Sequence, residues 1–282
     1  MSPAPDRYAV LGNPVAHSQS PFIHAEFARQ TGQRLDYTRV QCAMDGFAQA
    51  VRDFAASGAR GCNVTLPFKF EAPRLARQVT ARAALAQAAN VLCFDADGWL
   101  ADNSDGIGLV RDLRDHAGAA LAGARVLLIG AGGAAAGVLG PLLEARPAQL
   151  HMVNRTADKA AALLRRHTAL AAQCGVSLSC GGLHQAGQAY DVVLNASASS
   201  LGGVAAPVCE RVLRSGTLAL DLMYGAAAQP FMAWAAAHGA VPRDGLGMLV
   251  EQAAEAFWLW RGVRPETRSV LQRLRLRIDA VR

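Results

Sequence analysis

Lysine is nearly absent from this sequence. Of 28 lysine and arginine side chains in 282 residues, only Lys69 and Lys159 are lysines. An arginine cannot be deprotonated in a protein, whereas a lysine can be tuned toward neutral pH, so a position that keeps lysine is a candidate for a transferable proton; chance survival is the alternative at either site. Other shortages close off whole classes. The six cysteines (Cys42, Cys62, Cys93, Cys174, Cys180 and Cys209) show no C-x-x-C and no Cys/His pairing at metal spacing, so free thiols are expected, with no disulfide framework and no metal. The basic clusters are short, Arg165-Arg166 and Arg273, Arg275, Arg277, and no aromatics interleave them. Despite a net charge of +6, no nucleic-acid partner is expected; a mild positive field equally suits an anionic small-molecule substrate and a phosphorylated cofactor. The N-terminus lacks a basic segment followed by an apolar one. Val126 to Leu143 runs eighteen residues without a charge, but it holds five glycines and Pro141, which suits a turn and not a membrane span. A cytoplasmic chain without a membrane partner is expected, as a monomer or homodimer.

What is present is a globular composition, 52% hydrophobic and 18% charged, at a length that allows two ordinary domains. Val126 to Thr156 organises it, reading as strand, glycine turn, helix, strand. Gly130-Ala131-Gly132-Gly133-Ala134-Ala135 fills the G-x-G-x-x-G/A pattern with alanine at the third site. The first glycine allows the tight turn, the second lets a pyrophosphate approach the backbone, and Ala135 permits close helix–sheet contact. The helix N-terminus behind them offers free N–H groups to an anion. An NAD site would place an acidic residue after the second strand, about twenty residues on. Here Leu150 to Val153 leads into Asn154-Arg155-Thr156 and then Lys159. A guanidinium grips a 2′-phosphate that an acid would repel, so the set reads as an NADP site; a capped helix start with solvated Arg and Lys is the alternative.

Along the chain, Tyr8 to Leu11 predicts a strand and residues 12–21 a loop, with Ser20 capping a helix that turns Phe22, Ala25 and Phe27 or Ala28 inward. Strands at Asp36 to Val40 and Gly61 to Val64, separated by a helix at Asp45 to Ala56, imply parallel βαβ units. Helix is expected again from Pro67 to Arg77 and over Ala81 to Ala88. Strands at Val91 to Phe94 and Trp99 to Asp102 follow, joined as a hairpin at Asp97-Gly98. After a helix over 105–116 and a small-residue connector over 117–123, the alternation repeats. Its strands are expected at Gln149 to Val153, Val176 to Ser179, Tyr190 to Leu194 and Thr217 to Leu220. Leu246 to Trp260 and Thr267 to Ile278 are helical patterns that a dinucleotide fold does not need. The fold class is therefore α/β in two domains: a Rossmann NADP-binding domain over 106–244, and a discontinuous α/β substrate domain with a mostly parallel sheet over 1–105 plus 245–282.

Several segments carry groups suited to chemistry. Asn63 and Thr65 share one face of a strand end and Lys69 lies one helical turn past the bend, which makes a patch for hydroxyl recognition and proton transfer, or else a strand edge and a snorkelling lysine. Ser104 or Asp105, ahead of a helix, is a candidate partner or an ordinary N-cap. Ser18 and Ser20 flank Gln19 and share a direction, although capping accounts for Ser20. His17 and His24 lack an acidic helper, and neither a metal nor a base role is expected of them. Tyr224 follows a strand end, and Gln252 lies on the helix after Gly245. The uncharged segment Asn195 to Pro207 reads as a loop at the C-terminal edge of its strand, where ligands sit in such sheets.

Taken in order, the segments say more. GNPVAHSQSP (12–21), NVTLPFK (63–69), DNSDG (102–106), GAGGA (130–134), NRT (154–156), DLMY (221–224) and DGLGML (244–249) resemble the motifs of the shikimate dehydrogenase family over essentially the whole chain. The resemblance implies Lys69 and Asp105 as the catalytic pair, with Ser18, Ser20, Thr65, Asn90, Tyr224 and Gln252 joining them in holding the substrate's hydroxyls and carboxylate. On the cofactor side it implies Gly130, Ala131, Gly132, Gly133 and Ala134 at the pyrophosphate, Asn154, Arg155, Thr156 and Lys159 as the NADP-selective loop, and Leu222 and Gly245 at the nicotinamide. Three departures stand out: Val91 follows the asparagine where threonine is usual, Ala81 replaces a frequent acid, and Ser199-Ser200-Leu201 replaces Ser-Ser-Gly. The implied activity is reversible NADP-linked oxidoreduction of shikimate and 3-dehydroshikimate. Lys69 is either a true base or an electrostatic stabiliser. A quinate/shikimate dehydrogenase of broader cofactor use and a non-catalytic NADP-responsive module are the rival readings.

Overall fold

The computed structural model describes residues 4–203 and 205–280. They fall into two units, Met1–Gly108 with Val250–Arg282 and Leu109–Leu249. The first unit opens with β1 (Asp6–Gly12), α1 (Ser20–Thr31), β2 (Leu35–Gln41), α2 (Phe47–Ala56) and β3 (Gly61–Val64). β1 lies between β2 and β3 and is parallel to both. Next come β4 (Gln78–Val79), α3 (Ala81–Ala86), β5 (Val91–Cys93), β6 (Leu100–Asp102) and α4 (Asp105–Arg111). The sheet order is β2-β1-β3-β5-β6-β4, with β5 antiparallel to β3 and β6. The hairpin expected at Asp97-Gly98 is present, with Gly98 at φ +126.

This order places a topological switch between β1 and β3, and the loops after both strands leave from the same edge. They approach so closely that a Cβ on Gly12 would lie 2.3 Å from Thr65 Cγ2. Only glycine fits there. The Asn13 amide then donates to the Leu66 carbonyl at 2.9 Å, lacing the serine loop to the segment that carries Thr65 and Lys69.

Three local expectations need correction. Residues 67–77 do not form a regular helix: two 3-10 turns, Phe68–Phe70 and Ala72–Leu75, precede the two-residue strand β4. Pro73 has no N–H for an α-helical ladder, and within these turns only Phe68 and Ala72 are buried. The cap of α1 is Gln19 and not Ser20, and the helix buries Ile23, His24, Phe27 and Ala28 while Ala25 faces solvent. The helix over 105–116 is α-helical only to Arg111 and widens into a π turn over Asp112–His116.

The second unit is a wholly parallel sheet. Its elements are β7 (Arg125–Ile129), α5 (Gly133–Glu144), β8 (Gln149–Val153), α6 (Ala157–Cys174), β9 (Ser177–Gly181), β10 (Val192–Asn195), β11 (Leu218–Asp221), α7 (Gln229–Ala237) and β12 (Val241–Asp244). The order β12-β11-β10-β7-β8-β9 is the 3-2-1-4-5-6 winding of a Rossmann fold, with its switch between β7 and β10. β12 was not foreseen because Pro242 argues against a strand; as an edge strand it tolerates a missing donor. Beyond it, α8 (Leu246–Arg261) and α9 (Arg268–Asp279) complete the chain. α9 rests Val270 and Leu274 in the first unit, and Arg273 pairs there with Glu26 of α1. Among the described residues no helix is long and apolar enough to cross a membrane.

His24 shows what the packing of α1 costs. Its ring stacks on Tyr37 at 4.2 Å between centroids and contacts Phe27, Phe257 and Trp260. Burial pushes its pKa down from 6.5 to about 3, opposed only by the nearby Asn63 amide. Asn63 is already committed, accepting from the Tyr37 hydroxyl at 2.6 Å and donating to the Asn90 carbonyl at 3.1 Å, and neither ring nitrogen finds a partner. The folded protein keeps the ring neutral while the unfolded chain takes up a proton near pH 6.5. Stability is therefore complete above that pH and falls as acid is added, by up to about 1.4 kcal/mol per pH unit from this group until pH approaches 3. Urea titrations between pH 7 and pH 4 on the protein and on His24→Phe should show a shallower acid slope in the variant.

Candidate active site

Lys69 sits in the 3-10 turn just beyond β3, behind Phe68, which is buried and stacks on Phe47 with 4.6 Å between centroids. Its Nζ donates to Asp105 Oδ2 at 2.6 Å, and the two side chains are 13% and 4% exposed. An ion pair so withdrawn from water holds a fixed geometry that a surface pair would not. The backbone of Lys69 is anchored too, its carbonyl accepting from the Ala89 amide at 2.9 Å. Asp105 opens α4, and its side chain turns to Lys69 and to Asn90, whose Nδ2 donates to Asp105 Oδ1 at 2.8 Å.

Asn90 is the hub of this cluster. Its Oδ1 accepts from the Ser104 amide at 2.8 Å, which fixes the orientation of the carboxamide because a backbone N–H can only donate. Its Nδ2 then faces Asp105 Oδ1, Ser104 Oγ at 3.0 Å and Gln252 Oε1 at 3.1 Å. The peptide of Asn90 is held as well: its carbonyl accepts from the Val64 amide at 2.9 Å and its amide donates to the Asp102 carbonyl at 3.0 Å. Through one residue the ends of β3 and β6, α4 and α8 are joined.

Around this centre lies a second, charged layer. Arg82 donates to both carboxylate oxygens of Asp102 and reaches Glu255 Oε1 at 3.3 Å, while Arg264 meets Glu255 Oε2 at 2.8 Å. The Thr80 hydroxyl also donates to Asp102, at 2.5 Å. Asn103 donates to the Ala88 carbonyl at 2.9 Å and accepts from the Asp105 amide at 3.1 Å. Every residue of the turn from Asp102 to Asp105 is thereby tied down. None of these supporting contacts was foreseen, and Ser104 had a competing reading as a helix cap; the run of short polar residues in DNSDG was the only local signal.

Ser18 and Ser20 form a separate group with Oγ atoms 3.2 Å apart, and Arg39 donates to the Ser18 carbonyl at 2.9 and 2.6 Å. Since Gln19 is the cap, Ser20 is free of the capping role that competed for it. Thr65 is half-buried against Gly12.

The remaining expected residues belong to the second unit. Gly130 takes φ +110 after β7, and Gly132 caps α5 with open space where a Cβ would stand. Ala135 is fully buried under the helix. Arg155, Thr156 and Lys159 are exposed at the start of α6, and Asn154 Nδ2 donates to the Thr156 carbonyl at 2.9 Å. A surface hollow of about 1090 Å³ adjoins Arg155 and is also lined by His184 and Arg211; it lies beyond the glycine turn and includes none of its residues. The N–H groups that a helix N-terminus offers, an open glycine and two exposed cations fit a dinucleotide bearing a 2′-phosphate. Tyr224 and Leu222 are half-buried in the turn after β11. Gly245 follows β12, so close to that turn that a Cβ would meet the Leu222 carbonyl oxygen at 2.3 Å. Among the described residues no group of His, Cys, Asp and Glu could hold a metal ion.

Comparison with known proteins adds the decisive observation. Residues 10–92 match the shikimate dehydrogenase substrate binding domain, 112–223 the shikimate / quinate 5-dehydrogenase family, and 245–275 the shikimate 5'-dehydrogenase C-terminal domain. The chain belongs to the shikimate dehydrogenase family. A relative from Methylibium petroleiphilum, named shikimate dehydrogenase (NADP(+)), is 64% identical over 98% of this chain and 96% of its own length. Among solved structures, an Ael1 enzyme from Pseudomonas putida superposes with a TM-score of 0.87 at 44% identity, covering 95% of this chain and 98% of that one. The shikimate 5-dehydrogenase of Thermus thermophilus, solved in complex with NADP(H) and shikimate, gives 0.82 at 27% identity, covering 97% and 99%.

In this member of the family the Asn90 carboxamide is the contact to remove. Asn90→Ala leaves Ser104, Asp105 and Gln252 without a shared partner and should lower stability by about 1–3 kcal/mol, read from denaturant midpoints, with a larger relative loss in kcat than a surface Asn→Ala control.

Proposed function

We propose that this protein catalyses the reversible, NADP-linked oxidoreduction of shikimate and 3-dehydroshikimate, a step of chorismate and aromatic amino-acid biosynthesis, in the cytoplasm and as a monomer or homodimer. The observation that carries this reading is the Lys69–Asp105 pair at 2.6 Å, nearly closed to water and wired to Asn90 and Gln252. The family and the named NADP-dependent relatives support it. Residues 1–105 with 245–282 hold the substrate, and residues 106–244 hold NADP.

When bound, NADP supplies or accepts the hydride at its nicotinamide. The chain's own residues handle the proton and the positions. In oxidation, Lys69 receives the proton of the reacting hydroxyl as the carbonyl forms; in reduction, it returns that proton to the nascent alkoxide. Asp105 orients Lys69 through the Nζ–Oδ2 bond and takes the adjacent substrate hydroxyl. Asn90 fixes Asp105, Gln252 is bonded in turn to Asn90 and Ser104, and both offer amide groups to the ring. Ser18 and Ser20, with Thr65 and Tyr224, hold the substrate's carboxylate and remaining hydroxyls. Gly130 to Ala134 receive the pyrophosphate, Asn154 to Lys159 the 2′-phosphate, and Leu222 and Gly245 the nicotinamide end.

Lys69→Ala should reduce kcat by about 10²–10⁴-fold and leave NADP binding intact by fluorescence titration; unchanged turnover would sink the assignment of Lys69. Arg155→Gln should raise KM for NADP by on the order of tenfold with little effect on NAD, since it removes a charge-assisted contact to the extra phosphate. Turnover on shikimate and quinate with each cofactor tests the substrate. Shikimate with NADP should lead, and efficient oxidation of quinate with NAD would favour the broader quinate/shikimate enzyme.

A further inference from the structure

The C-terminal ends of the second unit's strands carry a buried polar row that the reaction does not use. Ile129, Asn195, Asp221 and Asp244 stand in register across β7, β10, β11 and β12, and Asn195, Asp221 and Asp244 are at most 2% exposed. Two buried carboxylates on adjacent strands are costly, so the contacts that retain them define what they hold. Asp221 Oδ2 accepts from Asn195 Nδ2 at 3.0 Å and from the Ser200 hydroxyl, itself buried. Asp221 Oδ1 accepts from the Met223 amide at 2.9 Å. Asn195 carries the other half: its Oδ1 accepts from the Ser197 hydroxyl at 2.6 Å and the Ser197 amide at 3.2 Å, and its carbonyl accepts from the Leu222 amide at 2.9 Å.

Two loops are thereby tied to one carboxylate. The segment from Ala196 to Gly203 borders the glycine turn, for a Cβ on Gly130 would lie 2.9 Å from the Ala196 carbonyl, and the Ala196 amide donates to the Ile129 carbonyl at 2.8 Å. The turn of Leu222 and Met223 borders Gly245, whose amide donates to the Met223 carbonyl at 2.8 Å. Both loops leave the sheet at its C-terminal edge, one of them at the switch between β7 and β10. We propose that Asp221 is a positioning residue for the cofactor, one that locks the Ala196–Gly203 loop through Ser200 and Asn195 and the Leu222–Met223 turn through its own second oxygen. This rests on the NADP-binding function proposed above.

The hydrogen-bond directions make the proposal testable. An amide in place of the carboxylate at 221 can still accept from the Met223 amide, but its NH₂ would face the Asn195 NH₂, donor against donor. Exchanging the two residues repairs this. A carboxylate at 195 accepts from Ser197 with one oxygen and from Ser200 and the new amide at 221 with the other. The exchange also moves the charge one strand further from Asp244, which relieves repulsion that, after burial, helps hold the Asp221 carboxyl above the usual carboxylate range, against hydrogen bonds from Ser200, Met223 and Asn195 that pull it down.

The experiment measures NADP binding by calorimetry, together with KM for NADP, kcat at saturating NADP and Tm, on the full chain and on Asp221→Asn, Ser200→Ala and the double exchange Asn195→Asp with Asp221→Asn. Asp221→Asn should raise Kd and KM for NADP on the order of tenfold, Ser200→Ala by less, and the double exchange should return both to within about threefold of the parent, kcat changing little throughout. Unaltered NADP affinity in Asp221→Asn overturns the proposal. So does a double exchange that regains the parent Tm and not the affinity, because that marks a purely structural pair. If Asp221→Asn fails to fold, Ser200→Ala against the double exchange decides in the same way. Binding is read without turnover, so NADP affinity in the absence of shikimate oxidation would fault the proposed reaction and leave this inference standing.

Discussion

The carboxamide of Asn90 is the one group on which the first unit's chemistry depends. Its oxygen holds the Ser104 amide and its nitrogen faces Asp105 and Gln252, while its peptide closes the gap between the ends of β3 and β6. A buried amide held from several sides is rigid, and a rigid amide is what keeps the Asp105 carboxylate at a fixed distance from Lys69. Lys69 contributes little to its own placement. Its turn is short, and the neighbours that hold it, Phe68 beneath Phe47 and the Ala89 amide on its carbonyl, come from the fold around it.

The two sheets solve the same problem in different chemistry. In the first, a switch between β1 and β3 gathers two loops, and Gly12 lets them touch. In the second, the switch between β7 and β10 gathers the glycine turn and the segment after Asn195. The first sheet stabilises its loops with neutral amides inside a shell of paired charges, Arg82 and Arg264 against Asp102 and Glu255. The second uses buried acids answered by hydroxyl, amide and backbone donors. Each places polar groups at strand ends, where backbone pairing stops and side chains must complete the hydrogen bonding.

How much of this was legible in the sequence follows from the range of each interaction. The glycine turn, the Asn154 to Lys159 loop and the strand alternation are local signals, and they are read directly. The hairpin at Asp97-Gly98 is local too. The helix expected beyond Pro67 failed because proline placement outweighed helical composition, and β12 was hidden by Pro242, which an edge strand accepts. Ser104 had two readings because a cap and a hub use the same residue types; its choice is made by Gln252, 148 residues away. Nothing in the sequence around His24 announced a buried ring stacked among Tyr37, Phe27, Phe257 and Trp260.

The scarcity of lysine acquires a practical meaning once both side chains are located. Lys69 is 13% exposed and engaged with Asp105, while Lys159 stands in solvent at the start of α6. To an amine-acylating reagent, a chain of 282 residues thus presents one open lysine side chain and one shielded one. The protein carries, without engineering, a nearly single attachment point for a fluorophore or a surface linker, next to Arg155 and the hollow it borders. A label there would report on that end of the nucleotide unit while Lys69, beside Asp105, stays shielded from the reagent.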